Sequence, residues 1–246
     1  MLDLDKLAAR QLKDYRGVTP GTCFADPEFA LDINSAYRLQ DAVKELRLQE
    51  GDAVAGYKIG CIGENVKKQF GMDGPIRGTI FESEISRSPH ELSIDSFCNL
   101  AIEAEMAFVV GTQGKIEHVF PVIELHNLIF RSPKKTLSEL VGNNGINAGV
   151  IVPSKNFWEI EKLNSPKKIT LQINKSIFSA TQIWPIKNSP HGSLDWLQEN
   201  LESYDLRVRN GNLILAGTTL GLYPVKPGDR ITVFLNERAT VTCLIN

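Results

Sequence analysis

The sequence lacks the features that mark several large functional classes. No apolar run approaches the roughly 20 residues that a membrane-spanning helix requires, so we predict no contact with a membrane. The 27 basic and 29 acidic residues leave a formal net charge of -2. The basic pairs are short and scattered along the chain, and they predict no nucleic-acid-binding surface.

Cysteine and histidine are also scarce, with four of each in 246 residues. The cysteines form no C-x-x-C pair and have no histidine at zinc-motif spacing; they are Cys23, Cys61, Cys98 and Cys243. The N-terminal segment has no signal-peptide core. These absences predict a reduced, soluble, cytoplasmic protein. There is no G-x-S-x-G, Walker or G-x-G-x-x-G motif, which leaves little support for a serine nucleophile or a nucleotide.

Hydrophobic periodicity places helices first and strands afterwards. Residues 1–50 read as a helical segment, in which Ser35 is the expected N-cap of a helix that Gly51 closes. Residues 51–246 read as a β-rich core with one late helix, "GSLDWLQENLESYDL", whose expected N-cap is Ser193. This order favours an α+β fold with a mixed, barrel-like sheet, and we predict a single catalytic domain over 1–246.

The stretch "NLAIEAEMAFVVG" (99–111) carries the clearest chemical signal. It alternates as a strand with one apolar face, and Glu103 and Glu105 lie on the other face between small residues. Two neighbouring carboxylates on a cavity wall need a cation, and oxygen ligands suit Mg²⁺ or Mn²⁺. Glu124, a charge inside the apolar run "VFPVIELHN", is the candidate third ligand. The alternative is that these glutamates lie on the solvated face of an edge strand.

Lys58 and the histidines are the remaining titratable candidates. Lys58 lies between glycines in "GYKIG" (56–60), where it could transfer protons if a cation and burial lower its pKa, or could simply extend from a strand end to solvent. His126 could face the same side as Glu124. Each of the four histidines is nevertheless interpreted as structural or exposed.

The chain resembles the 2-keto-4-pentenoate hydratase / 4-oxalocrotonate decarboxylase family of the fumarylacetoacetate hydrolase superfamily. The resemblance rests on ordered stretches: "AYRLQ" (36–40), "GYKIG" (56–60), "IEAEMAFVVG" (102–111), "FPVIEL" (120–125) and "LAGTTLGLYPVKPGDRI" (215–231). It extends to "VGNNGINAGVIV" (141–152). The resemblance implies a mixed β-roll core with an N-terminal helical segment, and a homo-oligomer.

For the site, the resemblance implies a divalent metal held by Glu103, Glu105 and Glu124, with Lys58 as the acid/base lysine. It places Thr218 and Thr219 near the substrate carboxylate. Two stretches depart from the family pattern. Residues 112–119 leave room for a tight hairpin where relatives have a helix. In "GPIRG" (74–78), Ile76 and Arg77 stand where many relatives carry an acidic residue, and Arg77 could instead bind a second substrate carboxylate.

The expected activity is that of a metal-dependent lyase acting on a small 2-oxo acid or its dienol. A metal chelated by the carboxylate and carbonyl of a 2-oxo acid would stabilise an enolate. Protonation of a 2-hydroxy-2,4-dienoate then gives an enone that water can attack, which favours a hydratase. The alternatives are a 4-oxalocrotonate-type decarboxylase, an acylpyruvate C–C hydrolase, which would need a His–Glu pair, and a non-catalytic binder of metal and 2-oxo acids.

Overall fold

The structure is a computed structural model that describes residues 3–21, 31–63, 66, 68, 71, 74–129, 136–154, 159–160 and 167–246. Its described helices are α1 (Leu4–Arg16), α2 (Ile33–Gln49), α3 (Leu137–Gly142) and α4 (Pro190–Glu202). The described strands are β1 (Val54–Gly60), β2 (Ile76–Phe81), β3 (Ile85–Arg87), β4 (His90–Leu92), β5 (Leu100–Val110), β6 (Ile116–Asn127), β7 (Asn147–Val152), β8 (Glu159–Ile160), β9 (Ile169–Ile173), β10 (Ser176–Ala180), β11 (Leu213–Leu215), β12 (Leu222–Pro224), β13 (Arg230–Leu235) and β14 (Arg238–Ile245).

The strands form two sheets. The larger has the order β2-β1-β11-β5-β6-β7-β3, with β12 beside β5 and β8 beside β6, and the smaller has the order β10-β9-β13-β14-β4. Parallel pairs such as β1–β11 occur within otherwise antiparallel sheets. The larger sheet curls so that β2 contacts β7. The predicted α+β class with a mixed, barrel-like core is therefore confirmed.

The main core lies between the two sheets. The predicted apolar face of β5 is buried there, from Leu100 to Val110 at every second position. It packs against residues of the smaller sheet, including Leu171 and Val233, and against Leu197 of α4. Burying one face of β5 forces the other face, which carries Glu103 and Glu105, toward the concave side of the curled sheet.

Both predicted helix starts were three or four residues too late. Helix α2 begins after Asp32, whose carboxylate accepts a hydrogen bond from the Ser35 backbone N–H. Helix α4 begins after Ser189 with Pro190 in its first turn, and the Ser193 hydroxyl instead donates to the Ala216 carbonyl. Each segment offers two polar residues that can cap, and in both helices the earlier one occupies the N-cap position.

The hairpin between β5 and β6 is as short as predicted. A 3-10 turn over Thr112–Gly114 joins the two antiparallel strands, and no further element intervenes. Among the described helices none is long and apolar enough to cross a bilayer. Cys61, Cys98 and Cys243 are free thiols, whereas Cys23 lies outside the described residues.

Candidate active site

Strand pairing brings the glutamates together on the concave face of the larger sheet. Glu103 of β5 is directly opposite Glu124 of β6. Paired residues of antiparallel strands share a face, and so do residues two apart on one strand. Glu103, Glu105, Glu124 and His126 therefore project from the same side. Glu105 and Glu124 are almost fully buried, and Glu103 is partly exposed.

The two oxygens of the Glu124 carboxylate have different surroundings. Oε1 accepts a 2.7 Å hydrogen bond from the Asn147 side-chain amide and lies 3.3 Å from Lys58 Nζ. Oε2 lies 3.4 Å from His126 Nε2 and has no hydrogen-bond partner. Asn147 and Lys58 thus fix the orientation of the carboxylate, and leave Oε2 directed toward Glu103 and His126.

Glycines make room for the buried Lys58 side chain. A Cβ atom added at Gly60 would lie 2.8 Å from Lys58 Nζ, and one added at Gly145 would lie 2.6 Å from Cε. A Cβ at Gly78 would lie 3.1 Å from Cγ and would overlap the Asn144 carbonyl. The second glycine of "GYKIG", Gly60, therefore leaves space for the Lys58 side chain. The first, Gly56, permits close approach of the β11 backbone at Leu213.

Burial and neighbouring charges shift the pKa values of Lys58 and Glu124 in opposite directions. Burial alone would lower the pKa of Lys58, but the Glu124 and Glu103 carboxylates outweigh it and raise that pKa. Burial alone would raise the pKa of Glu124, but His126 and Lys58 outweigh it and lower that pKa. Without a metal, these carboxylates therefore keep the pKa of Lys58 above its usual value. A divalent cation would offset the carboxylates and bring the pKa of Lys58 down.

The pKa values of Glu105 and His126 are also shifted by burial and by the neighbouring carboxylates. Burial, and then the Glu124 and Glu103 carboxylates, raise the pKa of Glu105 well above its usual range. Burial would lower the pKa of His126, but Glu124 and Glu103 raise it to about 9. Without a metal, a neutral Glu105 and two cations thus balance the carboxylates.

The donor set fits a divalent cation. Ligand atoms of Glu103, Glu124 and His126 all lie within 4.8 Å of one another. Both oxygens of Glu105 and the free oxygen of Glu124 are buried without a hydrogen-bond partner. Buried polar atoms are normally hydrogen-bonded, and buried carboxylates are paired or coordinate metals. Orphaned oxygens that converge on one face are what a metal site requires.

The loop between β11 and β12 borders the carboxylates. The Ala216 amide donates to the Met106 carbonyl, and the Thr218 hydroxyl donates to the Ala104 carbonyl. The Thr218 oxygen also accepts from the Leu220 amide, so this side chain fixes the loop against β5. Thr219 is half-buried and lines an open pocket with residues of the β9–β10 hairpin such as Ser179.

Arg77 does not join the other predicted site residues. It faces the side of β2 opposite to Gly78, the cross-strand neighbour of Lys58. Its guanidinium is fully buried, donates to Gln40 and Asp41 of α2, and stacks over the Tyr37 ring. The hypothesis that Arg77 binds a substrate carboxylate is therefore corrected: this arginine attaches α2 to the sheet.

We expect Arg77→Lys to lower the free energy of unfolding by about 2 kcal/mol, because a lysine cannot contact Gln40 and Asp41 together. The loss is below that of a fully buried pair because Asp41 is partly exposed. Denaturant unfolding measures this loss of unfolding free energy, and Arg87→Lys, at an exposed arginine, is the matched control. An unchanged midpoint, combined with a large rise in KM, would restore Arg77 to the substrate site.

Sequence reasoning missed or undervalued three neighbours of the site. His126 follows Glu124 by two residues, and strand parity could have placed it. The position of Asn147 could not be read from parity, because a bulge in the β6–β7 pairing sets it opposite His126. Cys61 directly follows β1. Burial raises the pKa of its thiol and outweighs the opposing effect of the nearby Lys58.

Comparisons with curated proteins give relatives of low identity that match most of the chain. The chain is 23% identical over 233 residues to a 2-oxo-hept-4-ene-1,7-dioate hydratase of Escherichia coli, covering 87% of this chain and 86% of that protein. It is 24% identical over 222 residues to a 2-keto-4-pentenoate hydratase of Burkholderia vietnamiensis, covering 85% of both. No family model matches the sequence.

Solved structures share the fold. The 4-oxalocrotonate decarboxylase from Pseudomonas putida G7, complexed with magnesium and adipate, superposes with a TM-score of 0.89 at 19% identity, covering 100% of this chain and 99% of that one. A fumarylpyruvate hydrolase from Pseudomonas aeruginosa, in complex with Mn²⁺ and pyruvate, gives a TM-score of 0.56 at 15% identity over 77% of this chain and 89% of that one.

The curled, mixed sheet is the fold that the chain shares with these two solved structures. Its similarity to these hydratases and to the 4-oxalocrotonate decarboxylase agrees with the family resemblance of its sequence stretches.

Proposed function

We propose that the chain is a divalent-metal-dependent lyase acting on a small 2-oxo acid or its dienol, with hydration of a 2-hydroxypenta-2,4-dienoate-type substrate favoured. One observation carries the proposal. The buried Lys58 ammonium lies 3.3 Å from a carboxylate whose other oxygen is unpartnered and directed toward further ligand atoms. The names of the curated relatives support the same chemistry.

In this proposal Glu103, Glu105 and Glu124 hold Mg²⁺ or Mn²⁺. The bound ion would act as a Lewis acid toward the 2-oxo acid and stabilise developing enolate charge. Asn147 keeps Glu124 oriented, and the β11–β12 loop with Thr218 and Thr219 closes the side where the substrate carboxylate would lie. Lys58 delivers a proton to the dienol carbon chain while the 2-hydroxyl proton is lost to solvent, and water can then add to the resulting enone.

The test is the ultraviolet absorbance of 2-hydroxypenta-2,4-dienoate. We expect metal-free protein to leave the conjugated dienol intact, Mg²⁺ or Mn²⁺ to start its decay, and chelator to stop it. Chromatography should then show a single hydrated product. A protein that binds the metal but consumes no dienol with either ion would contradict the hydratase assignment.

An acylpyruvate C–C hydrolase is the second candidate, because the structure supplies the His–Glu contact that this activity needs. His126 Nε2 lies 3.3 Å from Glu103 Oε2. A histidine beside a carboxylate is the arrangement that activates water in many hydrolases. Incubation with an acylpyruvate separates the two functions, since cleavage gives two acids. A decarboxylase would instead release CO₂ from a 2-oxo-3-enedioate.

A further inference from the structure

His126 occupies a position that neither packing nor ion pairing explains fully. Its ring is almost fully buried, and neither ring nitrogen has a hydrogen-bond partner. Nε2 lies 3.3 Å from Glu103 Oε2 and 3.4 Å from Glu124 Oε2. Charge-assisted N–H···O bonds are shorter, at about 2.7–2.9 Å. These contacts are therefore long for an imidazolium that donates to both carboxylates.

The same distances suit neighbouring ligands of one ion. Two atoms bound at about 2.1 Å and roughly at right angles lie about 3 Å apart. The separations of Nε2 from both carboxylate oxygens are close to that spacing. The Glu124 oxygen concerned is the one that Asn147 and Lys58 leave free.

Strand register explains why the ring can reach this point. His126 is directly opposite Ala101 on β5, and Glu103 is the next residue on the same face of that strand. The small side chain of Ala101 leaves room on this face of β5. The His126 imidazole can therefore extend toward Glu103 while it remains next to Glu124.

We propose that His126 Nε2 is a ligand of the divalent metal together with the glutamates, and that the site consequently prefers a transition ion such as Mn²⁺ to Mg²⁺. This inference rests on the proposed function, because it concerns the same metal. An imidazole suits transition ions better than Mg²⁺, which favours oxygen ligands throughout its octahedral shell. The opposing interpretation is that His126 is an internal cation beside Lys58 and binds no metal.

Pulsed electron paramagnetic resonance of the full chain loaded with one equivalent of Mn²⁺ distinguishes these interpretations. We expect modulation from a directly bound ¹⁴N nucleus in the wild-type protein, and its replacement by a ¹⁵N pattern after histidine-specific labelling. His126→Ala should abolish the nitrogen signal and weaken Mn²⁺ binding roughly tenfold or more. His118→Ala is the matched control on the same strand, roughly 25 Å away, and should retain the signal.

The wild-type spectrum decides the inference even if His126→Ala folds poorly. Tightly bound Mn²⁺ without nitrogen modulation would overturn the role of His126 and leave the metal-dependent lyase intact. Titration of the same sample with Mg²⁺ tests the selectivity, and equal affinity for the two ions would overturn the preference. Failure to bind either ion would instead overturn the proposed function itself.

Discussion

Lys58→Met is expected to slow turnover by about 10²–10⁴-fold while divalent metal still binds. Methionine keeps most of the length and apolar volume of the lysine stem, so it can follow the same path past Gly60, Gly78 and Gly145. It cannot carry a proton. It also removes the cation beside Glu124, which leaves more negative charge for the metal and should make metal binding tighter. Steady-state decay of the dienol and Mn²⁺ titration measure the two effects.

Lys44→Met is the matched control. Lys44 is also a buried lysine with acidic partners, Asp41 and Glu45, and both of these belong to α2. Its kcat should stay within about twofold of the wild-type value. If the Lys58→Met enzyme turns over within tenfold of the wild-type rate, Lys58 acts only as a counter-ion of the carboxylates and does not transfer a proton to the substrate.

The face on which the glutamates of β5 and β6 lie could be predicted from sequence, because side chains alternate strictly between the two faces of a strand. Alternation placed Glu103 and Glu105 on one face, and the short gap before Glu124 required a hairpin that brings β6 beside β5. The same logic extends to His126, two residues beyond Glu124. The interpretation of His126 as structural rests on the rarity of functional histidines in general, and the strand pattern does not conflict with a functional role.

The contacts that cross the fold could not be predicted in the same way. Whether Arg77 faces a substrate or helix α2 depends on which side of β2 is covered, and this is decided by Gln40 and Asp41 far away in the sequence. Asn147 reaches Glu124 through a bulge that changes the parity of its strand. For Lys58, the family resemblance supplied a role, whereas its partner Glu124 follows from tertiary packing.

Substituting glutamine at Glu105 and at Glu124 is expected to change the metal-free stability in opposite directions. At pH 7 in chelator, Glu124→Gln removes the charge that faces both Lys58 and His126, and should cost about 3 kcal/mol or roughly 6–12 °C in Tm. Glu105→Gln should raise Tm slightly, because it replaces a buried carboxyl that is held neutral with an amide of the same shape. Scanning calorimetry in EDTA measures both shifts.

The pH dependence of the metal-free stability should separate the two carboxyls further. The folded-state pKa of Glu105 is raised, so above about pH 4.5 the unfolded chain binds fewer protons at this residue than the folded protein does. Its contribution to stability therefore falls as pH rises through that value, and Glu105→Gln should abolish this fall. The folded-state pKa of Glu124 is lowered, so its contribution is present above about pH 4.5 and is lost as pH falls below it.

Adding Mn²⁺ should place both variants below the wild-type protein in Tm. The wild-type protein gains stability by mass action on the folded state, whereas each variant lacks a proposed ligand and should gain little. Because a ligating carboxyl must be ionised, wild-type Mn²⁺ binding at pH 7 should also release a proton that Glu105→Gln does not release. If Glu105→Gln keeps the full Mn²⁺-dependent rise in Tm, Glu105 is not a ligand. The metal would then be held by Glu103, Glu124 and His126, the three residues whose ligand atoms are already within 4.8 Å of one another.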